Sequence, residues 1–414
     1  MAELNETPSG NRIHIAFFGL RNAGKSTLVN AFTGQPLAIV SDVAGTTTDP
    51  VSKAMEILPL GPCLITDTAG LDDVGELGRQ RVEKTLKVLA TTDIAVWVWG
   101  DELSHGEAEP PDARNLFLEA CKRRCVTVLD YRRGDSVEEL KQRIAAVKLV
   151  DVTPGLLDGL VTKGDRVVCV CPIDASAPKG RLILPQVQVI RECLDMGVPA
   201  TVCQPAELAA CLRFVMTGLR GRLLVITDSQ AFNEVNRTIE QSNNQTIEQF
   251  STRTIEQSAN RTILLSSFSI LFARQKGDLD AYLDGLRRLD ELQDGDRVLV
   301  AEGCTHHRQC NDIGAVKIPK ALQKLTGKNL VFEFASGIAF EGSSNNLNTL
   351  NNSNNPNNRT IEQFSLVIQC GGCMLTRREV LRRIALAQAA GVPIVNYGML
   401  LAKAAGLPVE KMTM

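Results

Sequence analysis

The sequence predicts an α/β protein of three α/β domains, and three observations carry that prediction. Short apolar runs alternate with helical segments along most of the chain, the pattern of β–α–β units with parallel sheets. A glycine-rich loop joins the first such run to the first helix. Two cysteine-bearing loops each follow an apolar, strand-like run near the C-terminus, and in an open parallel sheet such loops converge on one crevice.

The first unit opens with a strand at Ile13–Phe18, a glycine-rich loop and a helix from Lys25, followed by strands at 63–66, Ile94–Trp99 and 126–129. The second alternates a strand at 166–173, a helix at 185–196, a strand at Ala200–Cys203, a helix at 206–217 and a strand at Leu223–Thr227. The third has a strand at 262–272, a helix at 279–291 and a strand at 297–301. A strand at 364–368, a helix at 377–390 and a strand at 392–396 complete it. Two stretches depart from the pattern. Residues 236–263 repeat the word Thr-Ile-Glu-Gln at 238, 246 and 254, and the word returns at 360 after an Asn-rich tract at 343–358. Both read as polar surface insertions that bury too little apolar surface to order themselves, a helical reading of the repeats being the alternative.

Length and composition narrow the function classes. At 414 residues the chain calls for two or three cores. A net charge of −2 gives no electrostatic case for nucleic acid or an anionic membrane. No apolar run approaches the ~20 residues that span a bilayer. The polar opening at 1–11 lacks a signal-peptide core, so a cytoplasmic location is expected. Twelve cysteines in so long a chain do not resemble a disulfide scaffold. Most, such as Cys63, Cys121 and Cys169, sit in apolar or helical contexts that read as reduced buried thiols.

Two sites carry chemistry. Residues 19–26 fit G-x-x-x-x-G-K-S, with Gly19, Asn22, Ala23, Gly24, Lys25 and Ser26, and Thr27 beyond. Glycines let backbone N–H groups close around phosphates, Lys25 reaches the β and γ oxygens, and Ser26 offers an oxygen to Mg2+. Downstream, Thr47 and Thr48 stand where a switch loop completes the Mg2+ shell, and Asp67 to Gly70 follow a strand so as to hold the metal through water and contact the γ-phosphate. Near the C-terminus, Cys304-x-His306 and Cys370-Gly-Gly-Cys373 place three thiols and an imidazole on equivalent strand ends, a soft donor set that favours zinc or an iron–sulfur cluster over Mg2+ or Ca2+. His307 and Cys310 read as bystanders.

Residues 13–101 resemble the small GTPases of tRNA modification and ribosome assembly. That resemblance implies Asn22 as a K+ ligand, the cation standing where other GTPases use an arginine finger worth ~10³–10⁵ in rate. Leu71 stands where Ras-like enzymes keep a water-orienting glutamine. Guanine-specific relatives read the base with Asn-Lys-x-Asp after a later strand; this chain has Asp130-Tyr-Arg-Arg, and the segment to Thr153 looks short for the usual last strand and helix. The stretches AEGCTHHRQCNDIG at 301–314, CGGCMLTRRE at 370–379 and VPIVNYG at 392–398 are similar to the HydF family of FeFe-hydrogenase maturation GTPases, as are APKGRLILPQVQVI at 177–190 and ITDSQAF at 226–232.

The HydF resemblance implies a P-loop GTPase fold in 1–155, an α/β dimerisation domain in 156–235 and a Rossmann-like parallel-sheet cluster-binding domain in 264–414, with insertions at 236–263 and 343–363. It implies GTP, Mg2+, K+ and a 4Fe–4S cluster as cofactors. Cys304, Cys370 and Cys373 then match the three cluster cysteines and His306 the histidine of C-x-H, while Gln369 replaces the family's usual histidine before the last CxxC. The implied function is a homodimeric scaffold that carries a diiron precursor to apo FeFe-hydrogenase and works with the radical-SAM maturases. Two rivals stay open: a regulatory GTPase with a structural zinc site, and a scaffold whose nucleotide domain no longer turns over.

Overall fold

The computed structural model describes residues 9–34, 50–71, 88–100, 111–148, 153–173, 182–250, 263–303, 312–336 and 361–413, with isolated positions 7, 82, 85 and 86. It divides into two compact units, Met1–Val152 and Thr153–Met414.

The first unit holds β1 (Ile13–Phe18), α1 (Lys25–Thr33), β2 (Val51–Ile57), β3 (Gly61–Asp67), β4 (Ile94–Trp99), α2 (Pro111–Arg123), β5 (Thr127–Arg132) and α3 (Val137–Ala145). Its sheet runs β2-β3-β1-β4-β5, parallel except for β2, which pairs antiparallel with β3. Side chains alternate across the pleat. Ile15 and Phe17 pack with Leu28, Phe32, Leu140 and Ile144 on one face, and Ala16 and Phe18 with Leu89, Trp97, Phe117 and Cys121 on the other. Burial on both faces explains why β4 and the second half of β1 read as continuous apolar runs. β5 reaches Arg132, Ser136 caps α3 by accepting the Glu139 amide, and among the described residues up to 148 no further strand follows.

The second unit carries two four-stranded parallel sheets. One is built from β6 (Arg166–Val170), β7 (Ala200–Cys203), β8 (Leu223–Thr227) and β9 (Ile263–Ser267) in the order β7-β6-β8-β9, with helices α4 (Leu184–Met196), α5 (Leu208–Met216) and α6 (Phe232–Phe250). Helices α7 (Phe268–Lys276) and α8 (Leu279–Arg287) lead to the second sheet, β10 (Arg297–Glu302), β11 (Val331–Ser336), β12 (Leu366–Gln369) and β13 (Ile394–Asn396), ordered β11-β10-β12-β13. Helices α9 (Ile318–Thr326), α10 (Arg377–Ala389) and α11 (Tyr397–Ala404) serve that sheet.

Two expectations are corrected here. The apolar run 262–272 is not one strand: β9 ends at Ser267, whose hydroxyl accepts the Ile270 amide and starts α7. A buried helix is apolar all round, so periodicity could not separate the two. Phe268, Leu271 and Phe272 of α7 join the core of the first sheet while Ile270 and Ala273 join that of the second, so this helix packs between them. The Thr-Ile-Glu-Gln stretch is helical through Phe250, covering the copies at 238 and 246. Val235 and Ile239 anchor the start of that helix in the core beside Leu208 and Leu212, and that burial offsets the ordering entropy. The copy at 254 and the Asn-rich tract lie outside the described residues, whereas Ile361 of the last copy is buried in the second core.

Candidate functional site

The nucleotide loop forms because β1 and β3 are neighbours in the sheet, which brings their carboxyl ends side by side. Gly19, Asn22 and Gly24 all have positive φ. At Gly19 a side chain would strike the Val98 carbonyl oxygen at 2.5 Å, so only glycine fits. Asn22 takes the left-handed conformation at an exposed position, and Gly24 caps α1. The segment after β3 closes on this loop: the Leu71 amide donates to the Gly19 carbonyl at 3.3 Å, and Thr68 donates to the Phe17 carbonyl at 2.6 Å. Gly70 is buried in the same turn.

Lys25, 6% exposed, curls back to donate to the Leu20 carbonyl at 2.7 Å and the Gly19 carbonyl at 3.3 Å. Ser26 donates its hydroxyl to Asp67 Oδ2 at 2.6 Å. Asp67 is fully buried, and its Oδ1 has no hydrogen-bond partner. Burial pushes its carboxyl above the ordinary range, opposed by the Ser26 hydrogen bond and the Lys25 charge. A buried carboxylate oxygen with a serine hydroxyl beside it is a donor pair suited to a hard divalent cation. The structure thus gathers Gly19, Ala23, Gly24, Lys25, Ser26, Asp67 and Gly70, with Thr27 exposed as the third residue of α1. Thr47 and Thr48 lie outside the described residues.

Where relatives read a guanine base, this chain has a side-chain cluster absent from the sequence reading. Asp130 Oδ1 accepts the Trp99 indole N–H at 3.0 Å and an Arg114 N–H at 2.9 Å. The Arg114 guanidinium stacks over the Trp99 ring at 4.6 Å and Arg132 approaches it at 5.4 Å. The carboxylate is engaged by these donors, 31 residues apart in sequence for the Trp99 pair, so no local motif announced it.

The two cysteine-bearing segments follow β10 and β12, which pair in parallel with Ala301 opposite Gln369. The Cys370 amide donates to the Ala301 carbonyl at 3.0 Å, and the Gly303 amide donates to Cys370 Sγ at 3.0 Å. Gly303, the last described residue after β10, therefore lies beside Cys370. Cys304, His306, His307 and Cys310 lie outside the described residues; among the described ones no group of three metal-ligating side chains occurs. Gly371 is pressed against Ser269, and Gly372 has φ +69°, turning the chain tightly between the two thiols.

Burial raises the Cys370 thiol pKa, while the Gly372 and Gly303 amides and the Arg383 charge act against that rise. Arg383 is fully buried and paired with Glu379 at 2.8 Å. Lys276 ends α7 beneath the same turn. Burial lowers its pKa to about 8, opposed by the nearby Cys373 and Cys370. Gln369 is fully buried with both amide atoms unpartnered. Two thiols on a glycine turn, amides aimed at sulfur and buried cations nearby form a donor set that suits a soft, anionic metal centre. The cations went unseen because 262–272 read as a strand, which left Lys276 with no direction.

Residues 280–413 match the sequence model described as the hydrogen maturase F tetramerization domain, and residues 156–277 that of the hydrogen maturase F dimerization domain. The chain belongs to the hydrogen maturase F family. Residues 14–130 match the model described as 50S ribosome-binding GTPase, so this maturase carries a GTPase domain, which takes GTP with Mg2+, ahead of two oligomerising segments. GTPase Der of Wolinella succinogenes is 41% identical over 99 residues, 23% of this chain and 20% of the relative. The tRNA modification GTPase MnmE of Endomicrobium trichonymphae is 38% identical over 107 residues, 25% of this chain and 22% of the relative. The chain spans about a fifth of the length of these relatives. A solved structure of Aquifex aeolicus Era bound to GDP and AlF4− aligns over 78% of this chain and 92% of that one at 15% identity, with a TM-score of 0.25. No described helix is long and apolar enough to cross a membrane.

The orphaned Asp67 oxygen yields a test. A raised pKa means that protonation favours the folded state: the contribution is full below the unfolded pKa and lost as pH rises through the folded one. Asp67→Asn keeps the Ser26 contact without the charge. In nucleotide-free protein its Tm should match the parent near about pH 4 and exceed it increasingly toward neutral pH. The variant should also lose the extra stabilisation that Mg2+ adds with nucleotide. A Tm below the parent at neutral pH would contradict this account of Asp67.

Proposed function

We propose that this chain is a GTP-hydrolysing scaffold and carrier that holds a 4Fe–4S cluster at the β10–β12 edge and delivers a diiron precursor to apo FeFe-hydrogenase. The observation that carries the reading is the Gly303 amide lying on the Cys370 sulfur, since it supports Cys304 and Cys370 sharing one cradle. Cys304, Cys370 and Cys373 would hold the cluster, with His306 or an exchangeable ligand at the remaining iron. When bound, the cluster supplies an iron with an open or labile position, to which a precursor can attach. The protein's part is to fix three thiols, direct the Gly303 and Gly372 amides at Cys370, and keep Gln369 in place of a fourth strong ligand.

In the nucleotide site, Lys25 turns from the Leu20 carbonyl to the β and γ phosphates, and Ser26 and Asp67 hold Mg2+, directly and through water. Thr47 and Thr48 close the shell and Gly70 donates to the γ-phosphate. Asn22 holds K+ at the loop apex. Loss of the γ-phosphate releases the Thr47 loop and times partner release. The working form is a cytoplasmic homodimer, and the radical-SAM maturases supply the precursor.

Anaerobic purification with iron, sulfide and zinc analysis tests the cluster. Iron and sulfide near four per chain are expected for a 4Fe–4S centre. Serine at Cys304, Cys370 or Cys373 should abolish binding, serine at Cys310 should not, and Gln369→His should slow cluster loss. A colourless protein holding one zinc and no sulfide would sink the reading. For the nucleotide site, GTP turnover should be faster in K+ than in Na+, by up to the ~10³-fold that a transition-state cation supplies. Equal rates would remove the role given to Asn22.

A further inference from the structure

Helix α7 is buried on both faces and delivers its last residue, Lys276, into the turn between Cys370 and α10. Lys276 is 1% exposed. Its Nζ donates to the Leu375 carbonyl at 2.7 Å and to those of Gly372 and Cys373 at 3.3 Å each. Three carbonyl acceptors match the three protons of an ammonium. The ammonium also lies 5.2 Å from the Phe272 ring centroid, a further favourable contact for a cation. Among the described residues no carboxylate pairs with it, whereas the other buried cation of this region, Arg383, has Glu379. A buried charge without a counter-ion is costly, and natural folds retain one where something else supplies the opposite charge. The groups near enough to do so are the sulfurs of Cys373 and Cys370. Their negative charge is fully developed when they are metal ligands, because a bound thiol is a thiolate.

We propose that Lys276 is the positioning residue and fixed counter-charge of the cysteine cradle. Its carbonyl contacts hold the 372–375 turn, and its ammonium offsets the negative charge that thiolate ligands bring to the iron–sulfur group. This rests on the reading of the cradle as a cluster site. Reduction adds an electron to an already anionic centre, so removing a buried cation beside it makes reduction harder.

The test compares full-length parent, Lys276→Met and Lys276→Arg, each reconstituted anaerobically with Fe2+ and sulfide. Iron and sulfide per chain, the midpoint potential by EPR-monitored titration and the Tm of each metal-free form are measured. Methionine keeps the length and apolar stem of lysine without its charge. Lys276→Met should bind the cluster roughly 10- to 100-fold more weakly, the range for groups that orient metal ligands. What it does bind should titrate at a more negative potential, and Lys276→Arg should keep the parent potential. The metal-free methionine variant should fold but melt below the metal-free parent, since the Gly372, Cys373 and Leu375 carbonyls lose their donor. Equal loading and an unchanged potential in Lys276→Met would overturn the proposal. So would a Lys276→Arg potential as negative as that of Lys276→Met, because the charge would then not set it. A parent that takes up neither iron nor sulfide would strike the cluster reading first.

Discussion

The parallel sheet is the constraint on which both sites depend. Strands of a β–α–β series all end at one edge, so residues far apart in sequence become neighbours if they follow adjacent strands. In the first unit the adjacency of β1 and β3 sets the glycine loop at 19–26 against Asp67. In the second the adjacency of β10 and β12 sets Gly303 on the Cys370 sulfur, 67 residues away. The sheet hydrogen bonds fix the register of Ala301 against Gln369.

Each site also keeps a buried charged side chain whose hydrogen bonds run to neutral groups. Asp67 has one oxygen on Ser26 and the other orphaned, and Lys276 has three carbonyls but no carboxylate. Elsewhere in the fold buried charge is matched: Glu379 takes both Arg382 and Arg383, and Asp165 accepts the Arg222 and Thr162 amides and pairs with the Arg222 side chain. The contrast suits sites whose missing charge arrives with a ligand. In the proposed reading a divalent cation would offset Asp67, and thiolate-bound metal would offset Lys276.

Much of this was legible in the sequence, for physical reasons. The phosphate loop could be read because its glycines are demanded by backbone geometry, as the clash at Gly19 makes plain. The cysteine edge could be read because Cys370 stands two residues past the apolar run ending at Ile368 and Cys304 three residues past the one ending at Ala301. Three features resisted. The run at 262–272 changes from strand to helix at Ser267 without a change in hydrophobicity, so α7 and the direction of Lys276 were hidden. The Thr-Ile-Glu-Gln helix is anchored by Phe232, Val235 and Ile239, whose spacing begins ahead of the polar repeat and dissolves into it. The engagement of Asp130 by Trp99 and Arg114 depends on β4 and β5 lying side by side, which no local pattern encodes.

The central claim is that Cys304 and Cys370 share one cradle, and it can be measured without any metal. In metal-free protein carrying Cys310→Ser and Cys373→Ser, the short thiol cross-linker dibromobimane should join Cys304 to Cys370, read as a single linked peptide pair by mass spectrometry after digestion. Efficient linkage in the folded chain, abolished by denaturant, is the predicted result. If both thiols react singly and no 304–370 pair forms, the strand ends do not bring them together, and the shared site is wrong.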